Sequence, residues 1–138
     1  MANRLRLANI AVNAKADALA RELDGGYLLI YGGTQPPTAD APAGKQAMLA
    51  ELRFGNPCAG PARDGVLRFN PLQADERARA SGQATWFRCV RGDGETAIMD
   101  GSVGREGCDL NLNITDIALG AVVSIREFTY VASKRRTE

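Results

Sequence analysis

At 138 residues and 45% apolar composition, the chain is the size of a single domain that can bury a core without covalent staples. A net charge of +1, with no long run of one sign, lacks the electrostatic footprint of a duplex-binding protein, and no stretch approaches the roughly 20 apolar residues of a membrane span. Histidine is absent, which removes the imidazole that nucleophile triads and cysteine proteases use as their base.

Between residues 5 and 23 apolar side chains fall at Leu5, Ala8, Val12, Ala16, Leu19 and Leu23, the spacing of one helical face, and Asp24-Gly25-Gly26 supplies a stop. The spacing predicts a helix whose other side carries a shallow stripe of Leu7, Ala11, Ala14 and Ala18. Such a helix serves either as ordinary packing or as an arm against another subunit. Residues 1–24 are accordingly read as an N-terminal helical arm and residues 25–138 as a β domain. The start, Met1 to Leu7, lacks the uninterrupted apolar core of a secretory signal, so neither secretion by that route nor membrane insertion is expected.

From Gly26 onward the apolar period changes to two, broken at short intervals by Gly, Pro, Asn and Asp. Strands are expected at 27–31, 48–54, 66–70, 84–91, 96–100, 110–115 and 121–131. Met48, Ala50, Leu52 and Phe54 alternate with Leu49, Glu51 and Arg53, as in a strand with one buried face. In the last strand Val123 and Ile125 are out of phase with Phe128 and Tyr130, and a bulge near Arg126-Glu127 reconciles them. Short connections favour antiparallel pairing, so the expected fold is all-β, mainly antiparallel: a jelly-roll-like β sandwich preceded by one helix. All six prolines lie between Pro36 and Pro71, which makes residues 32–46 and 55–64 long, stiffened surface loops, serving a partner or plain solvent. Residues 71–80 suit a short helix capped by Asn70 almost as well as extended chain.

Chemistry-bearing residues are sparse. Asp100, Asp109 and Asp116 sit near strand ends, where a two-carboxylate glycosidase pair can be built, but the first two also flank turns, where aspartate caps backbone amides. Arg91-Gly92-Asp93 spells an adhesion tripeptide, yet the Asp-Gly that follows is first a hairpin turn. Gly101, Gly104 and Gly107 match no phosphate-binding fingerprint. Trp86 and Phe87 with Arg88 and Arg91 offer a stacking surface for bases or sugars, or simply core and interface. Cys58, Cys89 and Cys108 form no close pair, which describes neither a disulfide framework nor a zinc motif and suits a reduced cytosol. Lys134-Arg135-Arg136 is too short for a nucleic-acid arm. No catalytic, cofactor-binding or metal-ligating residue is assigned, and the chain is not expected to be an enzyme.

Three blocks carry a further signal: residues 26–36 (GYLLIYGGTQP), residues 84–88 (ATWFR), and residues 99–104 (MDGSVG) running on to 109–113 (DLNLN). In this order, over about residues 25–131, they resemble the small structural proteins of tailed bacteriophages and prophages, most nearly the capsid cement, or decoration, proteins. The resemblance implies a non-enzymatic virion protein, made in the host bacterial cytoplasm. It would bind the outer surface of the icosahedral shell, pair as a homodimer and staple neighbouring major capsid subunits, without touching nucleic acid or membrane. A tail or baseplate accessory protein, or a carbohydrate-binding jelly roll, are the alternatives. The charged segment 73–79 and the pair Arg105-Glu106 depart from the pattern.

Overall fold

The computed structural model describes residues 4–133, so the Lys134-Arg135-Arg136 tail lies outside the described residues. Helix α1 (Asn9–Leu23) is followed by strands β1 (Tyr27–Tyr31), β2 (Met48–Arg53), β3 (Val66–Arg68), β4 (Gly82–Gln83), β5 (Trp86–Val90), β6 (Ala97–Gly104), β7 (Leu110–Leu112), β8 (Asp116–Ile117) and β9 (Ile125–Val131). The fold is mostly β with one N-terminal helix. No helix among the described residues is long and apolar enough to cross a membrane.

Seven strands form one sheet in the order β2-β1-β5-β6-β7-β9-β3, and β4 pairs with β8 apart from it. The sheet curls, bringing Phe54, just beyond β2, to 5.4 Å from Phe69, just beyond β3. Phe69 stacks on Phe128 of β9 at 4.6 Å, and Phe128 meets Phe87 of β5 edge-on at 5.5 Å. These rings close a core that also holds Leu28, Ile30, Leu52, Leu67, Cys89, Leu110 and Leu112.

Strand pairing is mainly antiparallel, as expected, with one exception. Val103 and Gly104 of β6 lie parallel to Leu110 and Asn111 of β7, so the sheet is mixed. A parallel pair ordinarily needs a crossover of about a dozen residues. Here residues 105–109 double back tightly, and Asp109 Oδ2 accepts both the backbone N–H and the hydroxyl of Ser102, at 2.9 and 3.0 Å. Glycine permits the crowding: a Cβ on Gly101 would stand 2.5 Å from the Phe87 ring, and one on Gly104 2.5 Å from Cys108 Sγ.

The bulge expected near Arg126-Glu127 is present. Asn111 faces Glu127 and Leu112 faces Ile125, which leaves Arg126 unpaired and returns Phe128 and Tyr130 to the side of Ile125. The two-residue strands β4 and β8 escaped the periodicity because so short a run has no period. Residues 71–80 are not helical: the chain is extended to Asp75 and then bends at Glu76–Arg77 and Arg79–Ala80. Gln73 exchanges both backbone bonds with Arg53, and Asp75 does so with Val123. Asn70 is engaged elsewhere, its backbone N–H and side-chain amide reaching the carbonyls of Cys58 and Pro57, so it caps nothing.

The helix begins at Asn9, later than the apolar spacing suggests. Ala8 is extended and provides no side-chain cap, and Leu5 stays exposed. Val12, Ala16, Ala20 and Leu23 are buried in the same core as the sheet, while Leu19 packs at its margin. Along one flank the helix also binds the segment 58–65, which runs antiparallel to it. Asp24 Oδ1 accepts the Cys58 N–H at 2.8 Å, Asp17 Oδ1 that of Ala62 at 2.8 Å, and Asn13 Oδ1 that of Gly65 at 2.7 Å. The Cys58 thiol donates to the Ala20 carbonyl, and Asn9 Nδ2 to Asp64 Oδ1. The loop 55–64 is thus anchored to the helix through the buried Cys58 and Ala62, while most of its residues stay on the surface as expected. The other long loop, 32–46, is mostly exposed and clasped at its neck, where the Gln46 amide bonds both the N–H and the carbonyl of Thr34.

Neither outer strand of the sheet is bare. Arg53 and Leu49 of β2 bond the backbone of Gln73 and Arg79, and residues 58–63 lie along β3 through the Ala59–Phe69 and Arg63–Val66 bridges.

Candidate functional site

The carboxylates singled out for catalysis are occupied by structure. Asp100 on β6 receives Arg88 of β5 through Nε and Nη2, at 2.7 and 2.9 Å, with both side chains less than a tenth exposed. Cross-strand register places them opposite each other. Asp109 braces the β6–β7 turn as described above, and the exposed Asp116 lies on β8 opposite Gln83. Asp100 and Asp109 line one cleft of about 540 Å³ together with Cys108 and Tyr130, with Asp116 apart from it, and both carboxylates are engaged by the contacts just given. Among the described residues no group of three His, Cys, Asp or Glu side chains converges as a metal site would require, and Cys58, Cys89 and Cys108 are unpaired thiols.

The aromatic strand is likewise turned inward. Trp86 is 1% exposed, its ring stacked on Tyr31 at 4.5 Å, with the Arg88 guanidinium 5.5 Å from it and its indole N–H bonded to the Gly32 carbonyl. Burial raises the Tyr31 pKa above the phenolic norm, and the Asp100 hydrogen bond raises that of Arg88. No face of Trp86 is left for a base or a sugar. The adhesion tripeptide is also spent: Arg91 pairs with Glu22 of α1, and Asp93 binds the N–H groups of Glu95 and Thr96 and the Thr96 hydroxyl. Those bonds, led by the Thr96 hydroxyl, pull the Asp93 pKa down to about 2.

A charged groove of about 610 Å³ lies along the outer face of β2. One wall comes from β1 and β2, where the Arg53 guanidinium lies 5.0 Å over its register partner Tyr27. The other is the strap 73–79, which bends at Glu76–Arg77. The strap is pinned by Asp75, 8% exposed, whose carboxylate accepts the Glu51 N–H at 2.8 Å and the Arg77 N–H at 3.0 Å. Arg79 completes the floor, 3.5 Å from Asp75 and 3.3 Å from Glu51. On the rims, Arg53, Glu76 and Arg77 are exposed, and among the described residues none of them has an ion-pair partner. A smaller cleft of about 280 Å³ lies between Arg105, Glu106 and Arg126, where Arg126 donates to the Arg105 carbonyl.

Both clefts are lined by segments that depart from the resembled pattern, 73–79 and Arg105-Glu106. Asp75, the pin of the larger one, carried no functional mark in the sequence. Its spacing from Arg79 is that of a helical ion pair, and no residue pattern in the sequence marks the bridges that Gln73 and Asp75 make. No protein-family model, curated protein or solved structure matches this chain.

Proposed function

We propose that the chain is a non-enzymatic capsid cement protein of a tailed phage or prophage, which binds the outside of an assembled shell and straps neighbouring major capsid subunits. The observation that carries the binding half of this reading is the groove: the curled β body presents an open, arginine-rimmed surface, while Asp100, Asp109 and Trp86 are consumed by internal contacts. Arginine is the basic side chain favoured in protein contacts, because its planar fork pairs bidentately. The shell as partner rests on the resemblance of the three sequence blocks, which form β1 with its following turn, β5, and the β6–β7 junction.

A ligand that binds only the assembled lattice stabilises that lattice by linkage, and two copies joined as a dimer would convert modest contacts into avidity. We also read the curled sheet as jelly-roll-like, with β2-β1-β5-β6 and β7-β9-β3 as its two layers. Phe87 meeting Phe128 across the core supports this. The test is co-sedimentation of purified protein with shells lacking it. Saturable binding to assembled shells and none to free capsid subunits is expected; equal binding to both, or none to shells, overturns the proposal.

A further inference from the structure

Strand β7 fills the space between β6 and β9 over only part of their length. Leu110 lies level with Val103 of β6 and Phe128 of β9, and before Leu110 the chain turns aside through residues 105–109. Three residues back along β6 is Asp100 and three residues on along β9 is Val131, so these two flank, at one level, a gap that no described strand fills. The Val103 N–H bonds Thr85 beside β5, and strand alternation then turns the backbone groups of Asp100 into the gap. The Ser102 N–H, on that same side, reaches the Asp109 carboxylate. On β9 the Ala132 N–H bonds Gly65 beside β3, so the backbone groups of Val131 face the gap from the other lip. Among the described residues Asp100 and Val131 have no backbone partner there. Two ladder spacings make the gap about 10 Å across, room for one strand. It coincides with the cleft of about 540 Å³. The core side of that cleft is apolar, with Phe87 buried and Met99, Phe128 and Tyr130 only half-buried. The outer side carries Asp109, which is exposed and has no ion-pair partner among the described residues.

One segment of the chain has the complementary pattern. Arg4-Leu5-Arg6 alternates basic, apolar and basic at the strand period, and it precedes α1 as extended chain, with Ala8 in the β region and a lone β-bridge at Arg6. Leu5 is 45% exposed, and the arm does not line the gap of its own molecule. Terminal segments held so lightly open at almost no cost in free energy. We infer that the N-terminal arm of a second copy enters this gap as a strand, pairing with the backbone of Asp100 and Val131, setting Leu5 among Met99, Phe128 and Tyr130, and turning Arg4 and Arg6 towards Asp109. Main-chain bonds give such strand addition its affinity, and alternate side chains give its specificity. Two arms exchanged about a two-fold axis close the pair, because each copy both gives and receives a strand. The inference rests on the pairing of copies in the proposed function and supplies its structure.

The test compares the full chain with one lacking residues 1–6. Sedimentation equilibrium is expected to show a dimer for the full chain and a monomer for the shortened one at the same concentration. The shortened chain should keep its cooperative melt, since Leu7 remains and α1 begins only at Asn9. A labelled peptide of residues 1–8 is then added to the shortened chain and followed by fluorescence anisotropy. It is expected to bind and to shift the backbone amide resonances of Asp100 and Val131. Peptides carrying L5D or R4E/R6E should each bind about tenfold more weakly. A full chain that is monomeric, a shortened chain that still dimerises, equal affinity for the L5D peptide, or unmoved Asp100 and Val131 resonances each overturns the inference. A monomeric full chain whose shortened form binds the peptide places each arm in its own gap, and likewise overturns exchange between copies. Because no shells are present, an arm-dependent dimer that fails to co-sediment with shells refutes the capsid role alone, and a monomer that co-sediments refutes the exchange alone.

Discussion

Arg88 and Asp100 hold each other between adjacent strands with almost no water access, so removing either partner strands a buried charge. Asp100→Ala is expected to cost about 3–5 kcal/mol, read as a lower denaturation midpoint, and Asp100→Asn nearly as much, because the amide cannot neutralise the guanidinium. A turn-capping aspartate, the role its position suggested, would lose far less on the change to Asn. Cys58 is a second sensitive residue. Burial, reinforced by the nearby Asp24, pushes its thiol up to about 12 from an ordinary value of 9.0. Its folded pKa is raised, so stability is unaffected below about pH 9 and falls as pH climbs from there towards 12, while the unfolded chain ionises freely. Melting temperature should decline across that window, and Cys58→Ala should make the decline shallower. Asp93 has the opposite sign: its contribution is intact above about pH 4 and is lost as pH falls through about 2. An NMR titration of the Asp93 carboxyl is expected to place its midpoint there.

Among the elements, α1 and the segment bound along its flank stand or fall together. Replacing Asp17 by Ala frees the Ala62 N–H and removes a charge-assisted bond, at an expected cost of about 1.5–3 kcal/mol in a thermal or chemical melt. Deleting residues 1–23 should leave no cooperative melting transition, since four helical side chains would vanish from the core. An N-terminal arm dispensable to the domain would instead leave the melt nearly unchanged. The helix and most strands were legible because their runs are long enough to show a period, and the bulge because the phase break between Ile125 and Phe128 has only one economical solution. The parallel β6–β7 pair was not legible: three closely spaced glycines announce a turn without saying which way the chain leaves it. Nor was the docking of residues 58–65, although Asn9, Asn13 and Asp17 repeat every fourth position on the helix. Polar side chains at that spacing suit solvent equally well, and the partner amides lie far along the chain. Gly104→Ala tests the tight turn, with an expected loss of about 1–3 kcal/mol in stability as the new methyl meets Cys108 Sγ.

For the molecule as a whole, the candidate groove was the least legible part. Its charges stood in the sequence, but β2 and residues 73–79 become neighbours only through the curl of the sheet that brings Phe54 to Phe69. The covered outer strands carry a further consequence, for crowding. Exposed strand edges are templates on which like molecules nucleate amyloid, and a protein concentrated in many copies at one place is most exposed to that hazard. Here β2 lies under the strap and β3 under residues 58–63, so neither can recruit an identical strand from a neighbour. Concentrated solutions should therefore remain free of thioflavin-positive fibrils.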